Sequence, residues 1–184
     1  MTFFRLSLLL TVLLVVSKPD YAQQPRPFPA DAKLSVTLTL CSLPSTRLAV
    51  KAPPPGSLII EDIRERKNNT TVYANITVKN VGRRAVTVDR LAWYDAVSYF
   101  VMSEYGNPVS PLFLGKADPV NDRRHFKPGQ TILYQSKNLG SVSGSGWFQY
   151  DFEAGQTYRV IAVYRPVGYG GPIFCSQEVT VKVL

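Results

Sequence analysis

A chain with one histidine has few ways to run acid–base or nucleophilic chemistry, and here His125 stands between Arg124 and Phe126. A Ser-His-Asp site needs its serine on a strained turn from strand to helix, whereas Gly144-Ser145-Gly146 belongs to a Gly/Ser tract over residues 140–146. His125 is therefore read as a solvated loop residue and the chain as non-enzymatic. Asp118, Asn121 and Asp122 put three oxygen-bearing side chains in one stretch. They lack the ligand spacing of a calcium loop and are read as a polar turn. Glu61, Asp62 and Glu65 are read the same way, as a solvated strand end, because paired-carboxylate chemistry depends on a separation in space. No metal and no organic cofactor is expected.

Recognition suits the composition better than catalysis. The chain carries 10 Tyr, 9 Phe and 2 Trp, most of which must be core. Trp93 and Trp147 are the candidates for exposed stacking or anchoring, the alternative for each being a core position. Trp147 and Tyr150 differ in strand parity, so one of the two is expected to face outward. Residues 165–172 mix Tyr169 with Gly168, Gly170 and Gly171 above Arg165, the composition of a recognition loop, or more simply of a glycine-rich hairpin end. Candidate binding residues are thus Arg165, Tyr169, Gly170, Trp147 and Trp93. A flat strip with two or more exposed aromatics from Trp93, Trp147, Tyr150 and Tyr169 would suit a sugar, and a projecting rigid loop such as 165–172 would suit a protein.

Charge and address narrow the partners. The 184 residues carry a formal charge of +8. Arg83-Arg84, Arg123-Arg124 and the cluster of Arg64, Arg66 and Lys67 are scattered, with no run resembling a nucleic-acid arm. Nucleic acid is not expected as a partner. The basic surface is either simply solvated or attracts an anionic surface polymer, a lipid headgroup or an acidic protein. Residues 1–22 read as a secretory signal peptide, with Arg5 before an apolar run from Leu8 to Val16 and a small residue, Ala22, at the proposed cut. The run is too short for a membrane span of about 20 residues, so no transmembrane anchor is expected after cleavage; an uncleaved anchor is the alternative. The protein is expected outside the cytoplasm, secreted or periplasmic.

In that oxidising setting Cys41 and Cys175 can form one disulfide or remain two thiols. Cys175 shares phase with Val179, Val181 and Val183, whereas Cys41 is out of phase with Leu34, Val36, Leu38 and Leu40. Both arrangements stay open. Asn68, Asn69 and Asn75 head glycosylation sequons whose use depends on the host.

The elements that position these residues read as strands. Residues 23–33 contain Pro25, Pro27 and Pro29 and are expected to be a flexible lead-in to one domain over residues 34–184. Period-two alternation then runs through 34–40 and, most clearly, 71–79. Further β segments are read at 58–63, 85–94, 97–104, 131–135, 147–152, 158–164 and 173–184, separated by turns rich in Gly, Pro and Asn, with a long loop over 115–124. Helical periodicity is nowhere sustained. The fold class is all-β, an antiparallel β-sandwich of about seven to nine strands.

Two segments carry a family likeness. Residues 152–160, Phe-Glu-Ala-Gly-Gln-Thr-Tyr-Arg-Val, resemble the approach to the penultimate strand of an immunoglobulin-like domain, which makes Tyr158 the corner tyrosine. A wider pattern takes in Val78-Lys79-Asn80-Val81-Gly82, Val86-Thr87-Val88, Glu104-Tyr105-Gly106-Asn107, Phe126-Lys127-Pro128-Gly129-Gln130 and Tyr158-Arg159-Val160. It resembles the immunoglobulin-like domains grouped with the BsuPI proteinase inhibitors. Trp93-Tyr94-Asp95-Ala96 departs from that pattern, where a Ser-Gly-Gln-type turn is expected. The expected function is a non-enzymatic module for protein–protein contact or assembly at the cell surface or in the periplasm. A carbohydrate-binding module is the alternative, and a proteinase inhibitor is what the resemblance implies.

Overall fold

Alternation of apolar and polar side chains is satisfied when strands pair edge to edge and press their apolar faces together, and the computed structural model does this. It describes residues 28–41, 55–61, 72–89, 91, 96–111, 123–139, 150, 152–153, 155–167 and 170–183. Ten strands lie among the described residues: β1 (Leu34–Cys41), β2 (Leu58–Glu61), β3 (Tyr73–Asn80), β4 (Val86–Val88), β5 (Val97–Ser103), β6 (Arg124–Phe126), β7 (Thr131–Asn138), β8 (Thr157–Tyr164), β9 (Phe174–Cys175) and β10 (Val179–Lys182). The protein is all-β, and no helix among the described residues is long and apolar enough to cross a membrane.

One sheet runs β1-β3-β7-β2 and a second runs β10-β8-β5, with β9 also on β8; β4 and β6 form a separate short pair. Inner faces meet in one core. Val36, Leu38, Ala74, Ile76, Val78, Ile132 and Tyr134 from the first sheet share a cluster with Val97, Val101, Tyr158, Val160, Ala162 and Tyr164 from the second. Tyr134 and Tyr164 mark the contact, their ring centroids 6.1 Å apart. Strand β8 alternates half-buried and buried residues without a break, because it lies between β5 and β10 with one face on the core.

Several expectations change. Strand β2 pairs parallel with β7, Leu58 opposite Ile132, so the sheets are not wholly antiparallel. Among the described residues, the strand read over 85–94 forms a ladder at Val86–Val88 alone, and its partner β6 emerges from a region read as loop and turn. The closing strand read over 173–184 is two pieces. Val163 faces Cys175 while Val160 faces Val179, a shift of one residue along the same edge of β8. Buried Ser176 fills the bulge: its N–H donates to the Ala162 carbonyl and its hydroxyl accepts from the Ala162 N–H, both at 2.9 Å. The extra residue reverses the phase, which is why Cys175 is exposed although it reads in step with Val179.

The lead-in also differs where it is described. Instead of trailing in solvent, Phe28 packs edge-on against Phe174 at 6.0 Å, and Ala32 N–H closes a turn on the Pro29 carbonyl at 3.0 Å. An aromatic side chain beside the prolines supplies the burial that holds it.

Candidate functional site

Among the described residues a groove forms at the end of the molecule where the lead-in, the turn after β3 and the β4–β6 pair come together. Its scaffold is one buried amide. Asn80, the last residue of β3, is fully buried. Its Nδ2 donates to the carbonyls of Arg84 at 2.9 Å and Phe126 at 2.8 Å, and its Oδ1 accepts from Gly82 N–H at 3.0 Å. Every donor and one acceptor lone pair of the side chain is thereby used. The main chain is anchored too, Asn80 N–H donating to Gln130 O and Gly129 N–H to Asn80 O. A Cβ at residue 82 would stand 3.1 Å from Asn80 Oδ1, a tight contact that the amide would have to relax. The Lys33 carbonyl accepts from both Val81 and Gly82 N–H, which fastens the lead-in to the same turn.

The result is a rigid frame under two adjoining hollows that share Pro29 and Val86. The larger, about 420 Å³, lies among Lys33, Val81, Arg83 and Arg84, with Asp31 at its wall. The smaller, about 250 Å³, lies among Phe28, Thr87, Asp89, Arg123, His125 and Val167. Charge is not spread evenly. Arg123 Nε sits 2.7 Å from Asp89 Oδ1 and is offset by it, whereas Arg84 and Asp31 are 3.7 Å apart and largely exposed, a weak pair. Lys33 and Arg83 have no ion-pair partner among the described residues. The larger hollow is therefore cationic and the smaller nearly neutral. His125 faces outward from β6 with Nδ1 3.5 Å from Thr87 Oγ1, a contact too long to orient a catalytic base.

A second surface lies on the outer face of the β5–β8 sheet. Phe100 is 46% exposed opposite half-buried Ile161, with Met102 and Val163 beside them. Arg159 and Glu178, 3.6 Å apart, form its polar edge. At the end of β5 the chain turns through residues 104–107, with Tyr105 projecting at 85% exposure. Ser103 N–H to Asn107 O at 2.8 Å and Gly106 N–H to Ser103 O at 3.0 Å fix that turn. The positive φ of Gly106, 85°, is what lets it close.

The residues singled out in the sequence fall differently. Arg165 does not reach outward: it is half-buried, Nη1 bonding Ser98 Oγ at 2.5 Å and its N–H the Ala96 carbonyl at 2.7 Å. Gly170 is exposed with φ of 86°. From the same loop, Pro166 is fully buried and Val167 lines the smaller hollow. Tyr169, Trp93 and Trp147 lie outside the described residues, as do the signal peptide, the sequons at Asn68 and Asn69, and the Asp118, Asn121 and Asp122 stretch. Tyr150 is 3% exposed, its hydroxyl donating to Tyr99 O at 2.6 Å, and burial pushes its pKa up to about 12. Tyr158 is buried, its ring edge-on to Phe152 at 4.9 Å, and its hydroxyl accepts from Glu153 N–H at 2.9 Å.

Of the two arrangements open to the cysteines, the structure has no bond between them. Cys175 follows Phe174, which touches Phe28 ahead of β1, whereas Cys41 closes β1 at its far end. Asn75, the third sequon asparagine, is half-buried, with Nδ2 3.8 Å from Cys41 Sγ.

What sequence reasoning missed is the gathering of Lys33, Arg83, Arg84 and Arg123. The two arginine pairs read as scattered because 38 residues separate Arg84 from Arg123. The signal that was present is that Arg83-Arg84 leads into the alternating Val86-Thr87-Val88 of β4; β6, Arg124-His125-Phe126, carries no such pattern. The chain matches no protein-family model, and no curated protein sequence is significantly similar to it.

Proposed function

We propose that the protein is a non-catalytic binding module on an immunoglobulin-like sandwich, acting outside the cytoplasm by contact with another protein. The observation that carries this reading is the outer face of β5 and β8. An aromatic side chain sits half exposed among Met102, Ile161 and Val163, inside a border of charged and hydroxyl groups. An apolar centre with a polar rim is how protein interfaces are built, and Phe100 is the ring a partner would bury. Support for the immunoglobulin-like architecture comes from the Tyr158–Glu153 hydrogen bond five residues upstream and from the shared core of the two sheets. The parallel β2–β7 edge is a variation on that plan. An extracytoplasmic address rests on the apolar N-terminal run alone.

A sugar-binding strip is less well supported, since Tyr150, one of four aromatics proposed for it, is in the core. A proteinase inhibitor would use the fixed turn at 104–107, where Tyr105 projects. The test is site-specific photo-crosslinking in the native envelope, with a benzophenone side chain in place of Phe100 and, as control, of exposed Thr37 on the other sheet. A discrete protein adduct from position 100 alone is expected. Equal labelling from both positions, or none from position 100, rejects this face as the contact.

A further inference from the structure

We propose that the groove between the lead-in and the β3–β4 turn holds an extended acidic peptide segment, with apolar side chains on its floor and carboxylates against Lys33, Arg83 and Arg84. The proposal takes from the reading above only that the partner is a protein. Three observations carry it. First, the charge of the larger hollow is unbalanced: three cations face a single Asp31, and Lys33 and Arg83 have no partner among the described residues. Second, part of the lining is apolar. Val81 is 53% exposed beside Pro29 and Val86, and a bare phosphate polymer has no use for it, whereas an extended peptide presents apolar and acidic side chains on alternate sides. Third, the site is pre-formed. The arginine turn and the lysine backbone are held by Asn80 and by the paired bonds to the Lys33 carbonyl, so binding freezes few backbone torsions. Arginine forks at Arg83 and Arg84 match the geometry of a carboxylate.

The experiment measures binding of a fluorescent decapeptide alternating glutamate and valine to the purified protein by anisotropy. It compares a lysine–valine peptide, an all-glutamate peptide and inorganic polyphosphate. The glutamate–valine peptide is expected to bind, the lysine–valine peptide not. The combined variant Lys33→Glu, Arg83→Glu is expected to weaken binding about tenfold or more, because both residues are exposed and change from attracting to repelling. Val81→Asp is expected to weaken it as well. Both variants alter exposed side chains, so an unchanged denaturation midpoint separates lost binding from lost folding. The proposal is overturned if the wild-type protein ignores the glutamate–valine peptide or if the charge-reversed variant binds it equally. It is also overturned if polyphosphate or all-glutamate competes as well as the mixed peptide, which would assign the groove to an anionic polymer. Crosslinking from position 100 is read in the wild-type protein: an adduct there while the glutamate–valine peptide fails to bind rejects the groove and leaves the protein-contact reading standing.

Discussion

Strand β8 and the β3–β4 turn achieve order by opposite means. In β8 eight residues alternate between core and surface, every buried side chain is apolar or aromatic, and neighbours on both sides complete the ladder. Around the turn the β4–β6 ladder is three residues long, and the backbone is held by one buried amide at the end of β3 that bonds both the turn and β6. Hydrophobic burial is non-directional and spread over many contacts, so the core of β8 tolerates shape-conserving exchange. A buried polar hub is directional, and losing one member leaves several groups unsatisfied at once.

That difference sets the largest effect. Asn80→Ala strands the carbonyls of Arg84 and Phe126 without the amide donor and removes one of the two acceptors of Gly82 N–H; a loss of about 3 kcal/mol is expected in urea denaturation. Asn80→Asp should do no better, since it sets a second oxygen against two carbonyls. A loss under about 1 kcal/mol for the alanine variant would mean that water or neighbouring side chains replace the amide, and that the frame is no hub.

Alkaline pH probes the other region. Tyr150 is held neutral by burial to about pH 12, and burial pushes the Tyr164 hydroxyl up further still. Below the ordinary tyrosine pKa of about 10 both states are neutral and stability is complete. Above it the unfolded chain ionises first, so stability falls as pH rises through the window between about 10 and 12. Denaturation midpoints at about pH 9 and about pH 11 should differ, and Tyr150→Phe should shrink the difference. An equal drop in that variant would assign the alkaline sensitivity elsewhere, to Tyr164 first.

The same contrast explains what was legible in the sequence. Alternation in 34–40 and 71–79 identifies β1 and β3 because period two is a local consequence of one buried face, and the short apolar run at 158–164 between turn residues identifies β8. The parallel β2–β7 edge, the bulge at Ser176 and the three-residue β4–β6 ladder escape it. Each depends on which segment lies alongside, and a window of sequence carries no record of that. The groove escapes for the same reason, with Lys33, Arg83 and Arg123 belonging to three segments. Asn80 read as an ordinary turn residue because its burial comes from Phe126, 46 residues away.

A smaller effect is expected where one directed bond sits at the edge of the apolar core. Tyr158→Phe keeps the ring against Phe152 and removes the acceptor for Glu153 N–H. Glu153 is exposed, so water can partly replace that bond, and a loss of about 1 kcal/mol is expected. A loss as large as that of Asn80→Ala would make the corner a second hub.

The smallest effect belongs to the outer side of the same sheet. Phe100 lies across the ladder from Ile161 but has nearly half its surface in water, so Phe100→Ser gives up little packing and places a hydroxyl where it stays hydrated. Its cost should stay within about 0.5 kcal/mol, as for other surface substitutions without a structural role. The variant thus separates the two faces of one sheet. A ring kept for folding should cost stability when removed, and a ring kept for a partner should leave the denaturation midpoint in place while abolishing capture of that partner. If Phe100→Ser costs 2 kcal/mol or more, on the order of a core deletion, Phe100 supports the sheet and the β5–β8 face loses its claim as a contact surface.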